Sequence, residues 1–183
     1  MIRKSILGGI CIGIGSLVYL KFPTPIGATF FSAGLLLIMT LNYKLYTGVI
    51  GSARTKQDFK NAFIILIGNV VGALIALLSP QEAAQNIVIT KLAAPLVSVF
   101  FRSILCGGII YGCVEAHKQH NDILVILFVA AFILSGAEHS IADICYFIAG
   151  RTQFFPALWF TITVAFGNMI GAQLFSRVSL LNT

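Results

Sequence analysis

The residues best equipped for chemistry in this chain sit in two short polar stretches set into apolar sequence, Asn42-Tyr-Lys-Leu-Tyr-Thr-Gly48 and Ser135-Gly-Ala-Glu-His-Ser140. The second puts the carboxylate Glu138 beside the imidazole of His139, with Asp143 one helical turn further on. Histidine changes charge near neutral pH, so a histidine in this setting can relay a proton or hydrogen-bond a small ion. The first stretch carries the ammonium of Lys44 and the hydroxyls of Tyr46 and Thr47. His117, His120 and Asp122 fall in a third polar segment, and with Glu138, His139 and Asp143 they supply the residue types of a metal site. The simpler reading of His117 and His120 is solvated connector side chains, and no metal or other cofactor is assigned.

The elements that position these residues follow from composition. Of 183 residues, 58% are apolar and 10% charged, which excludes an ordinary soluble domain. A spanning helix takes about 20 mainly apolar residues, so six use most of the chain. Apolar runs occupy residues 4–22, 25–43, 59–79, 91–116, 122–136 and 155–176, with shorter pieces at 49–53 and 140–150 that read as half helices. Lys plus Arg exceed Asp plus Glu by 12 to 6, but they are spread thinly over the connectors, without the dense basic stripe that nucleic-acid binding requires. They read as topology information. With six spans both termini share one side, which receives Arg3, Lys4, Arg54, Lys56, Lys60, Lys118 and Arg177 against Lys21, Lys91 and Arg151 opposite, so the positive-inside rule puts both ends in the cytoplasm. The first run lacks a small-residue cleavage site and is kept as a helix. Cys11, Cys106, Cys113 and Cys145 lie within apolar runs and read as packing side chains.

Two patterns recur in register. Lys4-Ser-Ile-Leu-Gly-Gly9 is echoed by Arg102-Ser-Ile-Leu-Cys-Gly107, and Gly68-Asn-Val-Val-Gly-Ala73 by Gly167-Asn-Met-Ile-Gly-Ala172, at offsets of 98 and 99 residues. A lone small-xxx-small match is ordinary helix packing in lipid, but two in register indicate duplication. The expectation is one membrane domain over residues 1–183, built from repeats 1–90 and 91–183. Three spans per repeat make the second enter the membrane from the opposite side. In such inverted repeats, substrate sites lie near the midplane at discontinuous helices, and the polar stretches interrupt the second and fifth spans at matching places. Polar groups at that depth are costly unless they face protein or a water-filled cavity, and half-helix N-termini there favour an anion path.

These residues resemble the formate/nitrite transporter family of anion channels. Leu45-Tyr-Thr-Gly48 is similar to its omega-loop motif, and Gly136-Ala-Glu-His-Ser-Ile-Ala142 to its second break. Phe101-Arg-Ser-Ile-Leu-Cys106 is similar to the opening of its fourth span, and both Gly-Asn-x-x-Gly-Ala repeats fit as well. The resemblance implies an all-α, aquaporin-like protomer of six transmembrane helices as a 3+3 inverted repeat. It also implies a homopentamer in the inner membrane, with small monovalent anions and protons as cargo (formate, nitrite, hydrosulfide), no enzymatic activity and no cofactor. Carried across, it makes His139 the central pore histidine and Thr47 the omega-loop threonine facing it. It places Phe31, Leu35, Leu45, Tyr46, Phe132 and Ile110 at constrictions, Asn168 on the pore side, and Lys91 in a vestibule as the partner of Glu138.

Three positions depart from the family pattern. Gly107 replaces a pore asparagine, which points to a wider lumen; Asp143 replaces an asparagine; and Lys44 replaces a glutamate. The repeat offset carries Lys91 to a point before residue 1, so Lys44 is expected to supply the matching charge from the loop, against the alternative of a lysine snorkelling to the interface. The tails are short, and a cytoplasmic gating segment is not expected. Burying a bare anion carries an idealised cost on the order of 20 kcal/mol, whereas protonating an acid with a pKa roughly three units below ambient costs about 4 kcal/mol. Passage as the conjugate acid, protonated by water or His139, is therefore expected. Two other readings stand beside this one: a neutral-solute channel of aquaporin type, against which no Asn-Pro-Ala pair occurs, and a membrane subunit of a redox or metal enzyme.

Overall fold

The computed structural model describes residues 1–79 and 81–180, and within them the secondary structure is helical. Its helices are α1 (Ile2–Lys21), α2 (Pro25–Thr40), α3 (Tyr46–Ile50), α4 (Lys56–Ala73) with a 3-10 extension (Leu74–Leu78), α5 (Gln81–Ala93), α6 (Leu96–Lys118), α7 (Asp122–Leu134), α8 (Ser140–Ala149) and α9 (Phe154–Leu180). Residues 181–183 of the second expected repeat, and Pro80 of the connector before α5, lie outside the described residues. Four segments are long and apolar enough to cross a membrane: Ile2–Lys21, Lys56–Leu78, Leu96–Lys118 and Phe154–Ser179. Their outer faces carry large exposed apolar side chains, among them Phe63, Phe101, Trp159 and Phe166. That surface suits lipid or a neighbouring subunit, not water.

Local chemistry sets the boundaries. Thr24 caps α2 by accepting from Gly27 N, with Pro25 as the first helical residue, where its missing N–H costs nothing. Thr55 and Asp58 form a reciprocal capping box at α4, each side chain accepting from the other's amide. Pro95 disfavours helix at Ala94 and separates α5 from α6. The run expected over 91–116 is thus two elements: Lys91 belongs to the 13-residue helix α5, which is shorter than a span needs, and not to the opening of the long helix α6.

α2 and α7 end alike. In each, the carbonyl five residues back accepts from the backbone amide that follows a left-handed residue: Tyr43 N donates to Ile38 O and Ala137 N to Phe132 O. The left-handed residues are Asn42 (φ 51°) and Gly136 (φ 72°), two types that tolerate the conformation. The chain then runs without helix through residues 43–45 and 137–139 before α3 and α8 begin.

Both non-helical segments are held by a buried asparagine on a neighbouring long helix. Asn69 of α4 accepts from Tyr46 N (2.8 Å) and donates to Ser5 O (2.7 Å) and Lys44 O (2.8 Å). Asn168 of α9 accepts from Ser140 N (3.0 Å) and donates to Ser103 O (2.9 Å) and Glu138 O (2.8 Å). An asparagine side chain offers one acceptor and two donors in fixed geometry, which is what one stray amide and two stray carbonyls require. Glycines at matching positions also fix how closely the long helices approach. A Cβ added to Gly9 would lie 2.8 Å from the carbonyl carbon of Asn69, and one added to Gly107 would lie 2.8 Å from that of Asn168. Side chains are excluded from both contacts, α1 on α4 and α6 on α9.

Asn69→Leu keeps volume but strands the Tyr46 amide, a loss of about 1–3 kcal/mol. Thermal unfolding of the detergent-solubilised protein should shift down accordingly.

Candidate functional site

The segments that precede α3 and α8 bring Thr47 and His139 together. Thr47 Oγ1 lies 2.9 Å from His139 Nε2, with both residues almost wholly buried. His139 is also the N-cap of α8, its Nδ1 accepting from Ala142 N at 3.2 Å. A backbone amide can only donate, so Nδ1 carries no proton, and the ring N–H is on Nε2, donating to Thr47 Oγ1. The Thr47 hydroxyl proton is thereby left to be given elsewhere. Sequence order alone offers no hint of this tautomer, which follows from the histidine occupying the cap position.

Around the pair stands an apolar barrier. Phe132 lies with its ring centroid 5.9 Å from that of His139, and Phe31 meets Phe132 edge-on at 5.9 Å and 87°. Phe31, Leu35, Leu45, Ile110 and Phe132 are buried in one cluster. Leu35 and Leu45 form part of the wall of a cavity of about 410 Å³, whose polar lining includes Asn42, Lys44, His117 and Lys118. Phe132 and His139 form part of the wall of a second cavity of about 100 Å³, whose polar lining includes Lys91, Asp143 and the tyrosines 19 and 146.

The second cavity carries a dense charge cluster. Lys91 Nζ forms ion pairs with Glu138 Oε2 and with Asp143 Oδ1, the latter at 2.7 Å. Arg102 Nη1 lies 3.7 Å from Glu138 Oε1. In the first cavity Lys44 Nζ donates to Asn42 Oδ1 at 3.1 Å, close to Lys118 and to His117, whose Nδ1 is 2.6 Å from Asp122 Oδ1. Of the groups considered for a metal site, His117 and Asp122 belong to the first region, Glu138, His139 and Asp143 to the second, and His120 is exposed outside both; among the described residues no three histidine, cysteine or acidic side chains converge as ligands.

Three residues named from the sequence have a different place in the structure. The phenol of Tyr46 turns away from the barrier and donates to Ala165 O on α9 at 3.0 Å, so the ring packs against the long helix. All the hydrogen bonds of Asn168 go to backbone, which makes it a positioning residue. Gly107 faces the backbone of Asn168 at a helix crossing, so its missing side chain permits close packing and opens no lumen. Residues that sequence reasoning left out are Asn69, the twin of Asn168; Arg102, which faces Glu138; and the cavity-lining Tyr19 and Tyr146. Asn69 could have been found by extending the repeat, and Arg102 from its place in the fourth-span motif; the tyrosines carry no local signal.

The family model described as formate/nitrite transporter matches residues 1–182. The chain belongs to the formate/nitrite transporter family. It is 26% identical over 182 residues to an uncharacterized transporter, YwcJ, of Bacillus subtilis (strain 168), an alignment covering 80% of this chain and 71% of that protein. Among solved structures it resembles a pentameric formate channel with formate bound, with a TM-score of 0.87 at 19% identity over 99% of this chain and 95% of the other. It also resembles an ion channel of the same family, with a TM-score of 0.84 at 20% identity over 99% and 88% of the two chains. At those identities the likeness establishes the fold. Together with its four long apolar segments, membership of a transporter family makes this a multi-pass membrane protein.

Tyr46→Phe removes a single buried hydrogen bond and leaves the Thr47–His139 pair in place. It should lower thermal stability by about 0.5–1.5 kcal/mol, read as a small drop in unfolding temperature in detergent.

Proposed function

We propose that this formate/nitrite transporter family member is a channel for small monovalent anions that cross its barrier as their conjugate acids. The observation that carries the reading is the Thr47–His139 hydrogen bond, 2.9 Å long, set in an apolar barrier between two polar-lined cavities. The polar-lined cavities are places where water can solvate an ion; the apolar barrier is not. An anion entering the first cavity meets Lys44, whose ammonium bonds the neutral Asn42, while Lys118 is paired with Glu115 at 2.7 Å and His117 with Asp122; Lys44 raises its local concentration. At the barrier it takes a proton from water, and the Thr47 hydroxyl, already accepting from His139, donates to an oxygen or sulfur of the passing acid. Protonation at about 4 kcal/mol replaces an idealised burial cost on the order of 20 kcal/mol. His139 acts chiefly by holding Thr47: its Nδ1 is occupied by the α8 cap, so its Nε2 is the nitrogen that faces the threonine.

In this reading α1, α2 with α3, and α4 are the three spans of a first repeat, 1–90, while α6, α7 with α8, and α9 are those of a second, 91–183, inserted the opposite way. The second and fifth spans are broken at Leu41–Leu45 and Ser135–His139. The matched asparagine clamps and matched helix ends support the duplication. An odd number of spans per repeat supports the inversion. The positive-inside balance supports both termini in the cytoplasm of a cell carrying the protein in its inner membrane. A homopentamer with one pore per protomer is supported by the likeness to a pentameric channel and by the broad exposed apolar faces. Lys44 stands as the charge of the first cavity.

The test is uptake of formate, nitrite and hydrosulfide into proteoliposomes against empty vesicles. Saturable uptake of at least one is expected, and His139→Phe, which removes both the cap and the threonine's partner, should abolish it. Uptake that survives in the variant would show that the pair is not on the path.

A further inference from the structure

A third cavity shares no lining residue with the first two. It is a groove of about 500 Å³, walled by Ile144 and Ile148 of α8, Ala157 and Thr161 of α9, and Leu74 and Leu77 of the 3-10 extension of α4. On α8 and α9 the lining residues recur three, four and seven positions apart, so the groove runs along both helices from the turn that joins them. Its end at that turn is polar. Arg151, the single charged residue of the lining, and Thr152 sit there, and the turn closes as those after α2 and α7 do: Thr152 N donates to Phe147 O (3.0 Å) after the left-handed Arg151 (φ 50°). Among the described residues Arg151 pairs with no carboxylate, and Thr152 Oγ1 is buried without a hydrogen-bond partner. The turn falls at headgroup level, because the apolar segment Phe154–Ser179 begins just beyond it and Phe154, Phe155 and Trp159 are exposed there as an aromatic belt.

We propose that this groove binds one anionic phospholipid, with an acyl chain lying along α8 and α9 and the phosphate accepting hydrogen bonds from Arg151 and the Thr152 hydroxyl. A guanidinium meets a phosphate as a planar fork of donors, and a buried hydroxyl is costly until it finds a partner. No acidic side chain lines the groove to receive the ammonium of a zwitterionic headgroup, so a headgroup of net negative charge fits better. A second copy of this chain is a poorer match. Of the six acidic residues, Asp58 serves the α4 cap, and Glu115, Asp122, Glu138 and Asp143 are paired with Lys118, His117 and Lys91. Among the described residues, Glu82 alone is left to meet an arginine. The lipid site is independent of what crosses the barrier.

The chain has a single tryptophan, Trp159, next to Leu158 of the groove wall, which makes fluorescence quenching a local readout. The protein is reconstituted in phosphatidylcholine vesicles in which a low, equal fraction of the lipid is either brominated phosphatidylglycerol or brominated phosphatidylcholine. Phosphatidylglycerol should show an apparent association constant roughly fivefold higher, the factor that one uncancelled charge at about 4 Å exerts even at the dielectric of water. Arg151→Gln should bring the two lipids level, and Arg151→Lys should keep most of the preference. Ala157→Phe, which fills the groove and leaves the arginine, should abolish the preference as well; if it fails to assemble, Thr161→Phe is read in the same way. Equal quenching by the two lipids in the unmodified protein would overturn the proposal, and if a preference then emerged in Glu82→Gln the groove would belong to a second copy. A preference that survives the filled groove would also overturn it, since the lipid would then be held by surface charge alone.

Discussion

Two helices that give way to buried non-helical segments leave backbone amides and carbonyls without helical partners, and the whole arrangement depends on how those groups are satisfied. Here each interruption is held by one asparagine from an adjacent long helix, Asn69 for the segment before α3 and Asn168 for the segment before α8. Each also binds a carbonyl of a third helix, Ser5 O or Ser103 O, so that one side chain fixes three pieces of chain. An unsatisfied buried group costs about 1–3 kcal/mol. That is a large share of what holds a domain together, and it makes these six hydrogen bonds the condition for having interruptions at all. The glycines at the same level serve the same end: Gly9 and Gly107 let α1 and α6 reach the backbones on which the asparagines sit.

From this frame the functional geometry follows. The clamps fix the chain where α3 and α8 begin, and Thr47, in the first turn of α3, then meets His139, the last residue before α8. Neither residue has freedom to drift, since His139 caps α8 and Thr47 lies within α3. What differs between the two non-helical segments is charge. The interruption before α3 presents Lys44 to a cavity rimmed by Lys118 and His117, while the one before α8 presents Glu138 and Asp143 to a lysine brought by α5. Matching backbone with unlike charges makes the two cavities unlike in their polar groups.

Much of this was legible in the sequence because small residues and asparagines recur there at nearly constant offsets. The polar stretches 42–48 and 135–140 coincide with the non-helical segments before α3 and α8, and the reason is energetic, since buried polar groups persist only where they are satisfied. What could not be read was the direction of side chains. Tyr46 looked like a constriction residue by position, yet one helical turn is short enough that its phenol reaches Ala165 instead. Gly107 looked like a missing pore group, yet it marks where two backbones touch. The run from residue 91 looked continuous by hydropathy, while Pro95 divides it and gives Lys91 to a separate helix. The pairing of that lysine with Asp143 as well as Glu138 depends on this division, and no local pattern announces it.

The central claim is that the barrier passes a proton with every anion. Proteoliposomes carrying a luminal pH dye and a membrane-potential dye, given an inward formate gradient and corrected for empty vesicles, test it in one recording. The account predicts protein-dependent luminal acidification in step with formate entry and no potential generated by it. Formate entry that builds an inside-negative potential without acidification would contradict it, because the bare anion would then have crossed a barrier that this structure gives no means to solvate.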